Sequence, residues 1–355
     1  MRITPILLIY LGSSILWAQC TETDSLLSAR GSSHLEKGLV AYSEKSYKEA
    51  AQHMHVAAEQ GNAMAMENLA VMYSMGLGVP QSEAEAGRWR NLASIASKQA
   101  ASRRSAEEYK NGLDAEGLRD FTKAFACYFF AAQGGHPDAQ FRVALMLHIG
   151  SGVPKNIQEA VRWYKRAADQ GVVLAQVDLG TMYARGDDIP QDYKEAARWF
   201  GMAAAQGNAD AQFGLAVAYK HGHGVPQNQA EATRLVGLAA RQGHAKAQLI
   251  LGAAYMDGLW GVVQNYVEAV RWLRLAADQG EQWAQFCLGK MYAAGAGVSQ
   301  DFVQAHLWFN LAAAAGLEEA RTEREAVARR MTAAQIAEAQ RLARNWKPSK
   351  QPSKQ

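Results

Sequence analysis

The sequence has few of the features that mark several large classes of protein. Three cysteines in 355 residues are too few for a disulfide-dense scaffold, and only eight prolines interrupt the chain. The net charge is +3, so no strong basic field implies a nucleic-acid partner. What is present is 49% hydrophobic residues and a high alanine content, which favour a folded, helical protein.

The N-terminal segment has the layout of an export signal. Arg2 supplies a positive start, and the apolar stretch at 6–17 is too short for a membrane span. We expect residues 1–20 to be a signal peptide, cleaved after Ala18 or Cys20, with no membrane span left afterwards and a periplasmic or secreted product. A lipid anchor on Cys20 is the alternative, although the residues before it make a poor lipobox.

Two series of glycines repeat along the chain with nearly the same period. Members of the first series are 36 or 37 residues apart, except for one gap of 74 residues in which Ser97 holds the place of the missing glycine. Members of the second series lie out of phase with the first and are 36 to 38 residues apart. Two independent series with one period indicate an internal repeat. The first series is Gly61, Gly135, Gly171, Gly207, Gly243, Gly280 and Gly316, and the second is Gly76, Gly112, Gly150, Gly186, Gly222, Gly258 and Gly295.

The residues between the glycines predict two helices in each repeat, A and B, of about 13 residues each. Helix A has the pattern Ala-x-x-x-Leu-Gly-x-Met-Tyr-x-x-Gly, as at 175–186. Helix B begins at a capping residue, with Glu or Gln three residues later as a capping box in most copies and alanine four residues later in every copy. A large residue, often tryptophan, comes seven residues after the cap, and we expect it in the core. The predicted caps are Ser46, Ser82, Asp120, Asn156, Asp192, Asn228, Asn265 and Asp301, and the tryptophans are Trp89, Trp163, Trp199, Trp272 and Trp308.

Neither helix of a repeat can bury its apolar stripe alone, whereas stacked repeats can, so we expect an all-α protein of the α-solenoid class. The motifs Ala-Gln-x-x-Leu-Gly-x-Met-Tyr-x-x-Gly-x-Gly-Val and Ala-x-x-Trp-Tyr-x-x-Ala-Ala-x-Gln-Gly resemble the Sel1-like repeat, a relative of the tetratricopeptide repeat. Residues 284–316 match almost throughout. The third unit departs most, because it lacks Leu-Gly and has a longer turn from Gly112 to Asp120.

The resemblance implies a right-handed superhelix of about eight helix-turn-helix repeats. It also implies an interaction module rather than an enzyme. We expect a helical cap at 317–346 and a disordered tail at 347–355. The predicted repeats are 32–61, 62–97, 98–135, 136–171, 172–207, 208–243, 244–280 and 281–316.

No motif in the sequence indicates catalysis. There is no Gly-x-Ser-x-Gly, no P-loop and no Ser-x-x-Lys, and His221 and His223 have no nearby group to complete a metal site. We expect no cofactor and no metal. The first hypothesis is a non-catalytic scaffold of the cell envelope that binds a protein or peptide segment on the concave face. The alternatives are a peptidoglycan- or polysaccharide-binding module, and a hydrolase of a wall-derived or lactam substrate.

Two positions of helix A change chemistry from copy to copy while the frame stays constant. They lie seven residues apart and therefore on one helix face, which we predict to be the concave binding face. Trp260 is added because a one-residue insertion places it in a turn where no other copy has an aromatic residue. The predicted partner-binding residues are Arg142, Asp178, Arg185, His221, Asp257 and Trp260.

Overall fold

A computed structural model describes residues 32–349 of the chain. Contacts divide the chain into two compact units, residues 1–172 and 173–355. The predicted signal peptide, with Cys20, lies outside the described residues, as do positions 350–355 of the predicted tail. The described residues form only helices and turns, with no strand.

The first unit contains seven helices. Each of the first six packs against the next one along the chain. They are α1 (Ser32–Ser43), α2 (Tyr47–Glu59), α3 (Ala63–Met75), α4 (Glu83–Gly117), α5 (Phe121–Gln133), α6 (Pro137–Ile149) and α7 (Ile157–Asp169).

The second unit contains ten helices. Each helix from α8 to α15 packs against the next one. The last helix, α17, packs back on α15. They are α8 (Val173–Arg185), α9 (Tyr193–Ala205), α10 (Ala209–His221), α11 (Gln229–Arg241), α12 (Ala245–Asp257), α13 (Tyr266–Asp278), α14 (Gln282–Ala294), α15 (Phe302–Ala314), α16 (Glu318–Ala328) and α17 (Ala333–Asn345).

The predicted fold class, an all-α solenoid, is confirmed. Stacked pairs of helices A and B build both units, and the repeated alanine of helix B is buried in all eight repeats. In the part of the chain that the structure describes, no helix is both long and apolar enough to span a bilayer.

Helix A and helix B of one repeat meet at a small residue of helix A. In the fifth repeat, a Cβ on Gly180 would stand 2.7 Å from ring carbons of Phe200. A larger side chain would overlap the ring, so the close crossing requires glycine or alanine here. Every repeat has one of these two residues at this position, which is filled by Gly38, Ala70, Gly112, Ala144, Gly180, Ala216, Gly252 and Gly289.

The cap of helix B also holds the turn that precedes it. The Asp192 carboxylate accepts hydrogen bonds from the backbone N–H groups of Lys194 and Glu195. The backbone N–H of Asp192 itself donates to the carbonyl of Tyr183 in helix A at 3.0 Å. The second turn glycine, Gly224 in the sixth repeat, has φ +74° and lies so close to the carbonyl of Tyr193 that a Cβ there would overlap it.

The predicted caps form with one exception, and the predicted capping boxes do not. The side chain of Ser46 makes no cap hydrogen bond. In every repeat with the long turn, the backbone N–H of the cap residue already donates to a backbone carbonyl of helix A. The glutamate three residues into the helix therefore binds an arginine three residues further on, as Glu195 binds Arg198 at 3.1 Å. Among the described helices, α17 alone has both halves of a capping box, made by Thr332 and Gln335.

The second and third repeats are joined by one continuous helix, which the sequence did not predict. Helix α4 is 35 residues long and contains helix B of the second repeat and helix A of the third. Ser97 holds the place at which a glycine in a left-handed conformation ends helix B in the other repeats. Without that glycine the helix continues.

The predicted turn from Gly112 to Asp120 is also wrong. Helix α4 runs on to Gly117, and the chain turns over three residues with Arg119 at φ 60°. Gly112 is a small contact residue of helix A rather than a turn residue, because a Cβ on it would stand 2.5 Å from the ring of Tyr128.

A glutamine at the end of helix B joins a buried glutamine in helix A of the same repeat. The Gln242 side-chain amide donates to Oε1 of Gln212 at 2.9 Å, and Gln170, Gln206 and Gln279 make the same bond to Gln140, Gln176 and Gln248. In the eighth repeat the donor position is Ala315. Within the described residues, Oε1 of the buried Gln285 accordingly has no hydrogen-bond partner.

We expect Gly180→Leu to lower the free energy of unfolding by about 1–3 kcal/mol, because the added side chain must displace the Phe200 ring. Gly201→Ala in α9 is the matched control, since a Cβ there meets no atom within 4 Å. That change removes only a helix-interior glycine and should raise stability by about 0.5–1 kcal/mol. Urea unfolding followed by circular dichroism measures both. Equal stability of the two variants would contradict the close-crossing argument.

We expect Ala315→Gln to stabilise the chain by about 1 kcal/mol, because it supplies the missing donor to Gln285. Ala314→Gln, one residue earlier and also exposed, is the control and should have no such effect. Thermal unfolding compares the two, and the donor assignment fails if their midpoints change equally.

Candidate functional site

Five of the six predicted partner-binding residues lie on helix A of four consecutive repeats, and Trp260 lies in the turn after α12. Arg142 belongs to α6 in the first unit. In the second unit, Asp178 and Arg185 lie on α8, and His221 and Asp257 are the last residues of α10 and α12. Helix α8 packs against α10, and α12 against α14, so the helices A adjoin in each of these two pairs of repeats. We call the surface formed by Asp178, Arg185, His221 and Asp257 the helix-A face. Its last three members are exposed and Asp178 is half-buried.

Electrostatics connect two neighbouring helices A at this face. The Cys287 thiol of α14 is largely buried, and burial raises its pKa to about 11. The negative charge of Asp257 on α12 raises the pKa further, whereas the positive charge of Lys290 lowers it. Asp257 therefore lies close enough to α14 to act on Cys287 across the boundary between repeats.

His221 is the exposed end of a ring stack. Its imidazole lies 5.4 Å from that of His223, which in turn stacks on Tyr193 at 4.3 Å. The stack joins the turn after α10 to the start of α9. His221 thus presents a polar ring to solvent from a supported position.

Arg142 is engaged within the chain. Its guanidinium lies 3.3 Å from Oε1 of Glu116, and the Tyr128 hydroxyl donates to the other oxygen of that carboxylate at 2.5 Å. Burial is the main cause of a raised Tyr128 pKa, and the hydrogen bond to Glu116 raises it further. Tyr109 also hydrogen-bonds Arg142 and stacks on His136 at 4.4 Å. The third repeat thus uses Arg142 in an internal polar network.

Trp260 is half-buried rather than fully exposed. It has φ 59°, a left-handed conformation that glycine adopts in other turns. The ring packs against the apolar cluster of the sixth and seventh repeats, and the Lys220 ammonium lies 4.6 Å from its centroid. The Trp260 carbonyl accepts a hydrogen bond from the Thr233 hydroxyl at 2.6 Å. These contacts fix the inserted turn on the preceding repeat.

The equivalent surface of α3 in the first unit is apolar. Met64, Val71 and Met75 are 56%, 47% and 65% exposed, and their spacing places them along one side of the helix. The sequence analysis singled out none of the three as binding residues. Of the three, Met75 alone has a clear signal in the sequence, since it stands where α8 and α10 have the polar residues Arg185 and His221.

Four of the five predicted tryptophans of helix B lie in the core, whereas Trp89 is partly buried and packs against the core cluster of the first repeats. Trp163, Trp199, Trp272 and Trp308 are 2–8% exposed. Arginines cover several of these rings, as Arg198 does over Trp199 at 4.2 Å. The column is therefore part of the packing between repeats and does not form an aromatic binding track.

An open groove of about 550 Å³ lies between α9 of the fifth repeat and α10 with its following turn in the sixth, and its continuation reaches α11. A second hollow of about 430 Å³ continues it and shares Gly201 and Leu215 with it. We call this the α9–α11 groove. It exists because two large side chains are missing: Gly201 stands where the seventh repeat has Arg274, and Leu235 stands in the tryptophan column. The sequence pattern alone did not predict the space that Leu235 leaves.

The described residues contain no cluster of three or more His, Cys, Asp or Glu side chains placed to hold a metal ion. The candidate site consists of two surfaces, the helix-A face and the α9–α11 groove.

The sequence matches the Sel1 repeat family over eight stretches, at residues 29–62, 63–94, 99–136, 137–172, 173–208, 209–244, 245–281 and 284–317. Among solved structures, a Sel1 repeat protein from Oxalobacter formigenes is 29% identical and has a TM-score of 0.57, with 88% of this chain and 89% of that chain covered. A protective antigen of uropathogenic Escherichia coli with an SLR fold is 26% identical and has a TM-score of 0.53, with 90% and 77% covered.

Curated relatives match only parts of this chain. An exopolysaccharide production negative regulator of Rhizobium meliloti (strain 1021) is 33% identical over 146 residues, which are 38% of this chain and 54% of that protein. Chitin synthase regulatory factor 3 of Schizosaccharomyces pombe is 46% identical over 55 residues, which are 6% of its length. The chain thus spans about half or less of the curated relatives it matches.

We expect Cys287 to react slowly with iodoacetamide, because a pKa of about 11 leaves about one thiol in a thousand ionised at pH 8. Asp257→Asn should speed the reaction by lowering the pKa, and Lys290→Met should slow it. The rates are measured against pH in a Cys20→Ser, Cys127→Ala background. If Asp257→Asn left the pH profile unchanged, Asp257 would not act on Cys287 across the boundary between the two repeats.

Proposed function

Because this chain belongs to the Sel1 repeat family, we propose that it is a non-catalytic scaffold that binds a protein or peptide segment. We propose the helix-A face as its binding surface and the cell envelope, in the periplasm or outside the cell, as its location. The proposal rests on a contrast between two sets of positions: the structural residues of the repeat stay the same from copy to copy, whereas exposed residues of the helix-A face differ. The crossing and capping residues recur in every repeat, whereas exposed positions change from Met75 to Arg185, His221 and Asp257.

The chemistry of the helix-A face supports binding of an extended segment. Arg185 and Asp257 carry opposite charges on helices two repeats apart, with His221 between them in the chain. A partner that crosses these helices would meet a cation, an imidazole and an anion in turn. Such an order gives register and specificity more than raw affinity.

Known relatives are in keeping with a scaffold. Sel1 repeats generally mediate protein–protein interaction. The Rhizobium meliloti relative is named as a negative regulator of exopolysaccharide production. A protein that binds another one can regulate it with no reaction of its own, and we propose that mode of action here.

The experiment is a crosslinked pull-down from the envelope fraction of the native cell, read by mass spectrometry. The test variant combines Arg185→Glu with Asp257→Lys and leaves the net charge unchanged. The control variant, Arg241→Glu with Glu319→Lys, makes the same exchange on exposed residues of α11 and α16. We expect one protein to be recovered with wild type and control and to fall at least about tenfold with the test variant.

Equal recovery by both variants would contradict the helix-A face as the binding surface. Recovery of no protein would contradict the scaffold. The intact mass of the bait tests export in the same preparation. We expect loss of residues 1–18 or 1–20, and a full-length bait in the cytosol would contradict the envelope location.

A further inference from the structure

The groove between α13 and α15 is occupied by the chain itself. Helix α17 packs against α15, and its residues Leu342, Ala343 and Trp346 pack against the apolar cluster that contains Trp308. An amphipathic helix thus covers the B helices of the seventh and eighth repeats.

The residues after α17 extend this contact to the end of α13. The Trp346 ring lies 3.8 Å from the Cβ position of Gly280. The backbone N–H and hydroxyl of Ser349 both donate to the carbonyl of Asp278, at 2.7 and 3.1 Å. The occupant is therefore fixed at both sides of the groove, on α15 and at the last turn of α13.

The α9–α11 groove is the same place two repeats earlier. Ala205 and Gly207 hold the positions of Asp278 and Gly280, and Leu235 holds that of Trp308. All three line the groove or its continuation. In the described residues this copy of the groove is open, and it is deepened by Gly201 and Leu235.

The rim of the α9–α11 groove is more positive than that of the occupied one. Lys194, Arg198 and Arg234 line it; Arg198 is paired with Glu195 and Arg234 with Glu231, which leaves Lys194 as the excess cation. The equivalent positions of the occupied groove are Val267, Arg271, Leu307 and Gln304, with a single cation among them. The open groove thus combines an apolar floor with a rim that favours an acidic occupant.

We propose that the α9–α11 groove is a docking site for an acidic amphipathic helix of a partner protein. The helix lies as α17 does and inserts an aromatic side chain into the space left by Gly201 and Leu235. Its flanking carboxylates face Lys194 and Arg234. This surface is lined by α9, α11 and the side of α10 that carries Leu215 and Tyr219, and none of its lining residues belongs to the helix-A face.

A second copy of this chain is the less favourable occupant. Its α17 carries Arg341 and Arg344 next to the apolar stripe, and Lys347 follows. These cations would lie beside the cations of the rim. A partner helix with carboxylates in place of these cations avoids the repulsion from the rim and keeps the same apolar contacts.

The test uses the whole chain and synthetic helices of defined sequence. The acidic probe is residues 333–346 with Arg341→Glu and Arg344→Glu, labelled for fluorescence anisotropy and stapled on its polar side. The native 333–346 peptide and an acidic peptide with Trp346→Ala are the comparisons. We expect each comparison to bind at least about tenfold more weakly than the acidic probe.

Filling the groove provides the matched variant. Gly201→Arg with Leu235→Trp restores side chains found at these positions in the seventh and eighth repeats, so the fold is kept. It should weaken the acidic probe at least about tenfold. Lys194→Glu should weaken it less, and mainly at low salt. Arg185→Glu with Asp257→Lys, on the helix-A face, should leave probe binding unchanged.

Three results would overturn the proposal. One is unchanged probe binding by the filled variant when its thermal midpoint is equal to that of wild type. Another is tighter binding of the native peptide, which would assign the groove to a second copy of this chain. The third is no binding of the acidic probe at millimolar concentration. None of the three bears on the helix-A face, which the pull-down tests separately.

Discussion

The close crossing of helix A over helix B is the contact on which the rest of each repeat depends. One small residue of helix A, such as Gly180, lies directly against a large residue of helix B, such as Phe200. The repeated alanine of helix B keeps the two helices close over the same stretch. With the crossing fixed, tryptophan seven residues after the cap fills the space toward neighbouring helices, as Trp199 does, at 2% exposure.

Hydrogen bonds of polar groups then fix how helix B is aligned with helix A, and each repeat with the next, which packing alone does not determine. The N–H of a cap residue, Asp192 for instance, bonds the carbonyl of a tyrosine in helix A, and this sets where helix B starts. A buried glutamine donates to the end of the preceding repeat, as Gln248 does to the carbonyl of Ala240 at 3.0 Å. Because such groups are costly to bury unpaired, each repeat has essentially one register with the next.

Much of this order could be predicted from the sequence, because it is repeated. The period, the caps, the alanine column and the buried tryptophans follow from residue types at fixed spacing. The fused helix α4 could not be predicted from the glycine series, because Gly112 has the spacing of a turn glycine but the role of a contact residue. The prediction of capping boxes was wrong because the N–H of the cap residue instead donates to the carbonyl of Tyr183 or its equivalent. That bond joins two helices, and the spacing of residues within one helix does not show it.

The candidate surfaces were predictable to different degrees. The variable positions of helix A can be read from aligned copies; in α8, α10 and α12 the position before the turn glycine is exposed, whereas the position seven residues earlier is half-buried. That Arg142 is tied to Glu116 depends on two helices coming together, which spacing does not show. The α9–α11 groove results from two small side chains, Gly201 and Leu235. A small side chain leaves a groove only where its neighbours do not fill the space, and the sequence does not show which neighbours those are.

Helix α4 changes how cooperatively the first unit can unfold. In a repeat protein, stability is the sum of the repeats and of the interfaces between neighbours, so that one repeat can open while the next stays folded. That independence needs a break in the backbone hydrogen bonds between them, which a glycine supplies elsewhere. Through α4 the hydrogen-bond ladder runs unbroken for 35 residues, or about 52 Å, from the second repeat into the third. These two repeats therefore form a single folding element, and the smallest part of this region that can open on its own is two repeats rather than one.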